Sequence, residues 1–151
     1  MNFYRKISIP EFEHTIGEQL STINSIFQKR HRIALRKFDI TTLQGFALSF
    51  IAEAETSGGI TQSDLCSILS VTPPAVLKMT VDLIKKELVY KTDNPNDQRS
   101  QLLFPTEAGR KVSAEFRKIV TDEDDDVFSV CTEQEKKFLM DILDKVISSY
   151  R

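Results

Sequence analysis

A mainly α fold with one small β-hairpin is what this sequence predicts, on three observations. Apolar residues recur at steps of three and four along most of the chain, the stripe of amphipathic helices. That period breaks once, near Leu88, where two short runs of strand-forming residues flank the dense turn signal Asp93-Asn94-Pro95-Asn96-Asp97. Threonine or proline opens each helical stretch, so the helix ends are specified as well as the faces.

The elements follow in order. Pro10 fits the first turn of a helix, and Glu11 and Glu13 complement its positive end. Phe12, Ile16, Leu20, Ile23, Phe27 and Leu35 carry its stripe to about residue 36, roughly 40 Å at 1.5 Å per residue. A helix of that length in a small domain calls for a large support, such as a partner subunit. After a break at 39–42, a threonine caps a second helix with Leu43, Phe46, Ala47, Phe50 and Ile51 inward, ended by Ser57-Gly58-Gly59. Thr61 opens a third, with Asp64 at capping-box spacing and Leu65, Ile68 and Leu69 inward. Thr72 caps a fourth, whose first turn holds Pro73 and Pro74 and whose apolar face includes Val76, Leu77, Val81, Leu83, Ile84 and Leu88. Strands are predicted at Leu88–Lys91 and Gln101–Phe104, with a projecting loop between them. Thr106 caps a fifth helix that runs through Val112, Phe116, Ile119 and Val120. Thr132 and Glu135 open a sixth, with Phe138, Leu139, Ile142, Leu143, Val146 and Ile147 as its stripe.

From residue 60 to 109 the order is therefore helix, turn, helix, strand, loop, strand, helix. This is a helix-turn-helix followed by a β-wing, a shape that sets one helix into a DNA major groove. Composition neither advertises nor excludes such a partner: 20 basic against 22 acidic residues give a net charge of −2, so any basic footprint must be local. No apolar run reaches the roughly 20 residues that span a bilayer, and the first residues lack the apolar core of a signal peptide. No membrane partner and a cytoplasmic address are expected. Cys66 and Cys131 match no zinc or thioredoxin spacing, and His14 and His31 are far apart, so all four are expected to be structural. Cys131, before a helix start, is the better candidate for a redox-sensing thiol. With no nucleophile elbow, P-loop or metal-ligand motif, neither enzymatic activity nor a metal or cofactor is expected.

Three segments carry a family resemblance. Ile60-Thr61-Gln62-Ser63-Asp64-Leu65 is similar to the "LTQSELA" entry into the helix-turn-helix of the MarR (multiple-antibiotic-resistance) regulators. Asp97-Gln98-Arg99 resembles that family's Asp-x-Arg wing tip, and Phe104-Pro105-Thr106-Glu107-Ala108-Gly109-Arg110 its "LTEAGR" after the wing. The resemblance implies one MarR-like domain over 1–151, with a winged helix-turn-helix at about 38–108 and dimerisation helices at about 8–37 and 109–150. It further implies a homodimeric, ligand-responsive transcriptional regulator, most simply a repressor, on a pseudo-palindromic operator in double-stranded DNA. Its two recognition helices would reach successive major grooves about 34–36 Å apart. Two residues depart from the pattern. Glu87 replaces the glycine of the family's "KKGLV", so the turn is expected to be tighter or less left-handed. Gln98 stands where many members carry arginine, which weakens the expected grip of the wing.

The recognition helix is placed at Thr72 to about Lys86, with Thr72, Pro73, Ala75, Lys78 and Met79 as its reading positions. Threonine and alanine can meet thymine methyls, and lysine a guanine edge or a phosphate. Arg99 suits a narrow minor groove, Asp97 can pair with it and pre-organise it, and Lys91 with Arg110 and Lys111 can track the backbone. Lys29, Arg30, Arg32, Arg36 and Lys37 end the first helix. They favour its negative pole, contact phosphate, or meet an acidic or aromatic small-molecule effector of unknown identity. The run Asp122 to Asp126 is expected to be a solvated stretch. Sparse charge on the recognition helix also admits an alternative, a winged-helix protein-interaction module with weak or no specific DNA binding.

Overall fold

A computed structural model of the protein describes residues 15–150. Six helices and a three-stranded sheet run in the order α1 (Ile16–Ala34), α2 (Thr42–Ala54), β1 (Ile60–Thr61), α3 (Gln62–Leu69), α4 (Pro73–Lys85), β2 (Val89–Asp93), β3 (Gln101–Pro105), α5 (Glu107–Val127) and α6 (Glu133–Ser148). The expected first turn around Pro10, Glu11, Phe12 and Glu13 lies outside the described residues, as does His14. Single helical turns close α1 at Leu35–Phe38 and α2 at Glu55–Ser57.

The caps form largely as the sequence dictates. Thr41 with Gln44, Thr61 with Asp64 and Thr132 with Glu135 make reciprocal capping boxes, and the Thr106 hydroxyl accepts from the Gly109 N–H at 3.0 Å. The Thr61 hydroxyl and N–H both donate to Asp64, which holds its carboxyl below the usual carboxylate range. Thr72 is the exception. It occupies the N-cap of α4, but its hydroxyl makes no cap bond.

Strand β1 is too short for any alternation to reveal it. It pairs antiparallel with β3, Ile60 opposite Leu103, on the far side from β2, which pairs Val89 with Pro105 and Asp93 with Gln101. Gly59, at φ +93°, lets β1 close against the ring of Phe104: a Cβ there would stand 2.6 Å from that ring. The core gathers beneath this sheet, where Leu48 and Ile51 of α2, Leu65 of α3, Val76 and Leu83 of α4, Leu103 of β3 and Phe116 of α5 are fully buried. Leu43 and Phe50 of α2, expected inward, are part-exposed. Gly45 and Leu48 take the inner face because Phe116 packs directly on Gly45, with no room for a Cβ.

One junction ties the recognition helix, the sheet and α5 together. Helix α4 ends as Leu88 N–H donates to Leu83 O at 3.0 Å and Glu87 N–H to Ile84 O at 2.9 Å. This end requires a left-handed residue, and Glu87 supplies it at φ 57°. The expectation of a less left-handed turn is thus corrected: the geometry that glycine favours is kept, and glutamate carries its steric cost. Thr106 then clasps the turn, its hydroxyl donating to Glu87 O at 2.7 Å and its N–H to Leu88 O at 3.0 Å. Gly109 lies so close that an added Cβ would stand 2.0 Å from the Leu88 carbonyl oxygen.

Four of the five residues of the acidic run are exposed, as expected of a solvated stretch, Glu123 alone being half-buried; the run is also helical. It forms the last turns of α5, where carboxylates oppose the negative helix end; Lys118 pairs with Asp122 at 2.6 Å, but no basic residue in the last turn offsets the others. The basic end of α1 does so instead. Arg30 pairs with Asp126, and His31 Nε2 lies 3.1 Å from Glu123 Oε2, with both side chains largely shielded from water. His31 sits among the rings of Phe27, Phe46 and Phe116, and neither of its ring nitrogens makes an aligned hydrogen bond. Burial lowers its pKa, with the nearby Glu123 carboxylate pulling the other way.

Two predictions follow from these contacts. Replacing Glu87 with glycine should raise stability by about 1 kcal/mol, because a left-handed L-residue costs about that much; an unchanged or lower urea midpoint would contradict the strain at this turn. The second concerns acid. His31 binds its proton more weakly folded than unfolded, so the stability that the neutral ring contributes is present above about pH 6.5 and is lost as the pH falls through the lowered folded value. Thermal midpoints between pH 7.5 and 5 should therefore drop more steeply for the native chain than for His31→Gln, and parallel profiles would refute this.

Candidate nucleic-acid interface

The chain turns by 116° between α3 and α4, within the range of helix-turn-helix units. Ser70, left-handed at φ 53°, ends α3 and begins that turn. The two helices are pinned by Gln62, whose amide donates to the fully buried Thr80 hydroxyl at 2.5 Å, while Thr80 donates to Leu77 O at 3.0 Å. With its inner face so fixed, α4 presents one definite outer face.

That face differs in part from the expected one. Thr72, Pro73 and Lys78 are exposed and Ala75 is half-exposed, as expected of reading positions. Met79 is not among them: it is only 5% exposed and packs in the core with Val76 and Leu83. The outward position is Leu77, assigned inward from the sequence but 51% exposed. Helical spacing held the signal, since residue 77 lies four after Pro73 and three after Pro74, on their side of the helix, whereas 79 lies three after Val76. Ile68 of α3 is likewise turned out rather than in.

The wing loop is stiffened by its own polar groups. Asn94 Nδ2 donates to Ser100 Oγ at 2.8 Å, Asn94 Oδ1 accepts from Asn96 N–H at 3.0 Å, and Ser100 N–H donates to Asp97 O at 3.0 Å. Asp97 Oδ1 accepts from the backbone N–H of Arg99 at 3.0 Å. Asp97 therefore shapes the loop backbone and does not pair with the guanidinium, contrary to expectation. Arg99 is exposed, and no carboxylate among the described residues pairs with it. A groove of about 400 Å³ runs between the wing and the start of α3, with Ser63, Asn94 and Arg99 on its walls. Lys91 stands apart from this tip. It is half-buried on β2 opposite Leu103. Arg110 and Lys111 are engaged by Glu55 and Glu107 at 2.7 and 2.8 Å.

Earlier in the chain a cleft of about 710 Å³ opens between α1 and the start of α2, lined by Gln28, Lys29, Arg32, Arg36 and Thr42 among others. Arg30 and Lys37 of the same basic segment are paired with Asp126 and Glu115. Lys29, Arg32 and Arg36 have no carboxylate partner among the described residues. Among those residues, too, no group of histidine, cysteine and carboxylate side chains is arranged to hold a metal. Cys66 and Cys131 are free and half-buried.

A helix-turn-helix with a hydrogen-bonded wing defines a winged-helix protein. Comparison with known proteins narrows this. The MarR family model matches residues 46–101. An uncharacterized HTH-type transcriptional regulator, YhbI of Bacillus subtilis (strain 168), is 33% identical over 101 residues, 65% of this chain and 64% of the relative, so the match spans just under two thirds of that protein. Among solved structures, S. aureus MepR in its DNA complex superposes with a TM-score of 0.83 at 27% identity, covering 92% of this chain and 100% of that one. A putative MarR family transcriptional regulator from Listeria monocytogenes, solved with a 26mer DNA, gives 0.80 at 25% identity over 89% and 88%. The chain is thus similar in sequence to the MarR family over residues 46–101, and in fold to MarR-type regulators over most of its length. Among its described residues no single helix is long and apolar enough to cross a membrane.

Proposed function

We propose that the protein is a sequence-specific double-stranded-DNA-binding transcriptional regulator, with α4 in the major groove and Arg99 of the wing in the adjacent minor groove. The observation that carries this reading is the pairing of an outward α4 face with an unpaired arginine on a stiffened loop, both held by one junction. The similar MepR and Listeria structures, each solved with DNA, support it. A gene-regulatory role in the cytoplasm, without catalysis, accords with the family's regulators.

The active form is a homodimer in this reading. Ile16 on α1 is 80% exposed and Phe138 on α6 67%, with Leu20, Ile142, Val146 and Ile147 beside them in sequence period. A second copy burying these two apolar stripes would remove a surface that a lone soluble chain seldom shows. The cleft beside α1 is the proposed effector site. Three cations without carboxylate partners suit an anionic small molecule, and such a ligand would release DNA by binding one spacing of the two recognition helices better than the other. Repression relieved by that ligand is the simplest regulatory outcome.

Titration of DNA flanking the gene in a mobility-shift assay tests the reading. Specific binding is expected, weakened several-fold by Arg99→Ala with the log–log salt slope reduced by about one. An aromatic carboxylate added to the same titration should release the DNA, and less so for Arg32→Ala. Weak, sequence-indifferent binding, or an unchanged slope in Arg99→Ala, would favour a protein-interaction module instead.

A further inference from the structure

We propose that Leu77 is a specificity-determining residue that reads thymine through its methyl group; this rests on the DNA-binding reading above. Leu77 is 51% exposed although the residues on either side of its turn, Val76 and Met79, are core. It is not a loosely placed side chain at a fraying end. Its carbonyl accepts the Thr80 hydroxyl at 3.0 Å, Thr80 is fully buried, and Gln62 of α3 holds Thr80 in turn. The backbone at Leu77 is thus anchored to the first helix of the motif, which aims the side chain outward.

The neighbours of Leu77 decide what it can recognise. Pro73, Pro74, Leu77 and Lys78 form the exposed stripe over the first turns of α4, and only Lys78 among them carries a polar side-chain group. Proline and leucine can neither donate to nor accept from a base edge. In the major groove the one apolar feature of a base pair is the C5-methyl of thymine, and the other positions present hydrogen-bonding atoms that an apolar side chain would leave unsatisfied. A leucine pressed there therefore favours thymine and disfavours cytosine, which offers an amino group instead. Leu77 discriminates by burying a methyl group, with Lys78 adding charge and the exposed Thr72 hydroxyl at the N-cap the other polar side-chain group at this end of α4.

Duplexes selected by the full chain from a random library provide the probe, with each thymine of the selected site replaced singly by deoxyuridine to remove only the methyl. At one thymine per half-site the native chain should lose about fourfold in affinity, the equivalent of one buried CH2 group. Leu77→Ala should bind the thymine and deoxyuridine duplexes equally, while Lys78→Ala binds both more weakly and keeps the fourfold ratio. Leu77 is exposed, so its truncation leaves the core intact, and unchanged thermal midpoints will verify this. A selected site without a fixed thymine, equal affinity of the native chain for both duplexes, or a ratio retained in Leu77→Ala would each overturn the assignment while leaving DNA binding intact. Failure to select any sequence would overturn both the assignment and the DNA-binding reading.

Discussion

The turn at Glu87 and Leu88 is the constraint on which the rest of the molecule depends. Four hydrogen bonds converge there, one of them from a side-chain hydroxyl. The end of α4 curls back on Leu83 and Ile84, and Thr106 holds the carbonyls of Glu87 and Leu88. Those bonds start β2, position β3 through the Val89–Pro105 pair and begin α5 within the same few ångströms. The near contact of Gly109 with the Leu88 carbonyl leaves no freedom to slide. Recognition helix, wing and the long α5 therefore move as one piece. A bulkier residue at 109 would not merely loosen a helix; it would separate the two parts that are to enter neighbouring grooves.

The second constraint is electrostatic and lies at the other end of α5. A helix whose last turns contain a run of five acidic residues is unfavourable in isolation. It is tolerated because the C-terminal end of α1, itself basic, lies alongside. The exposed pairs there contribute little singly, about 0–1 kcal/mol each. The His31–Glu123 contact is enclosed, with His31 among the rings of Phe27, Phe46 and Phe116, so solvent screens it less than the exposed pairs. Helix α1 also borders the cationic cleft, so a ligand there and the packing of α1 on α5 act on the same element.

Much of this was legible in the sequence because helix ends and faces are written locally. Thr61, Thr106 and Thr132 announced their caps, and the turn residues at 93–97 announced the wing. What the sequence hid was tertiary. Strand β1 has two residues and exists only because β3 runs beside it. The exchange of Leu77 and Met79 arose because both are apolar and two apart; only the helical phase, set by Val76 and Leu83, separates them. Glu87 misled for a related reason. The absence of glycine suggests a different turn, yet the surrounding hydrogen bonds are enough to hold an L-residue at positive φ. Asp97 was correctly singled out but bonds to the backbone of Arg99, a distinction that residue type alone does not make.

The central claim is that α4 and the wing act as one rigid reading unit on DNA. Chemical footprinting of the protein on its selected duplex tests it most directly, with dimethyl sulfate probing guanine N7 in the major groove and hydroxyl radicals probing the minor groove. The account predicts major-groove protection flanked, about half a helical turn away on the same face, by minor-groove protection. This pattern should recur in the second half-site about 10 base pairs away or at a multiple of that spacing. Protection confined to the phosphate backbone, or major-groove protection without its minor-groove neighbour, would contradict it.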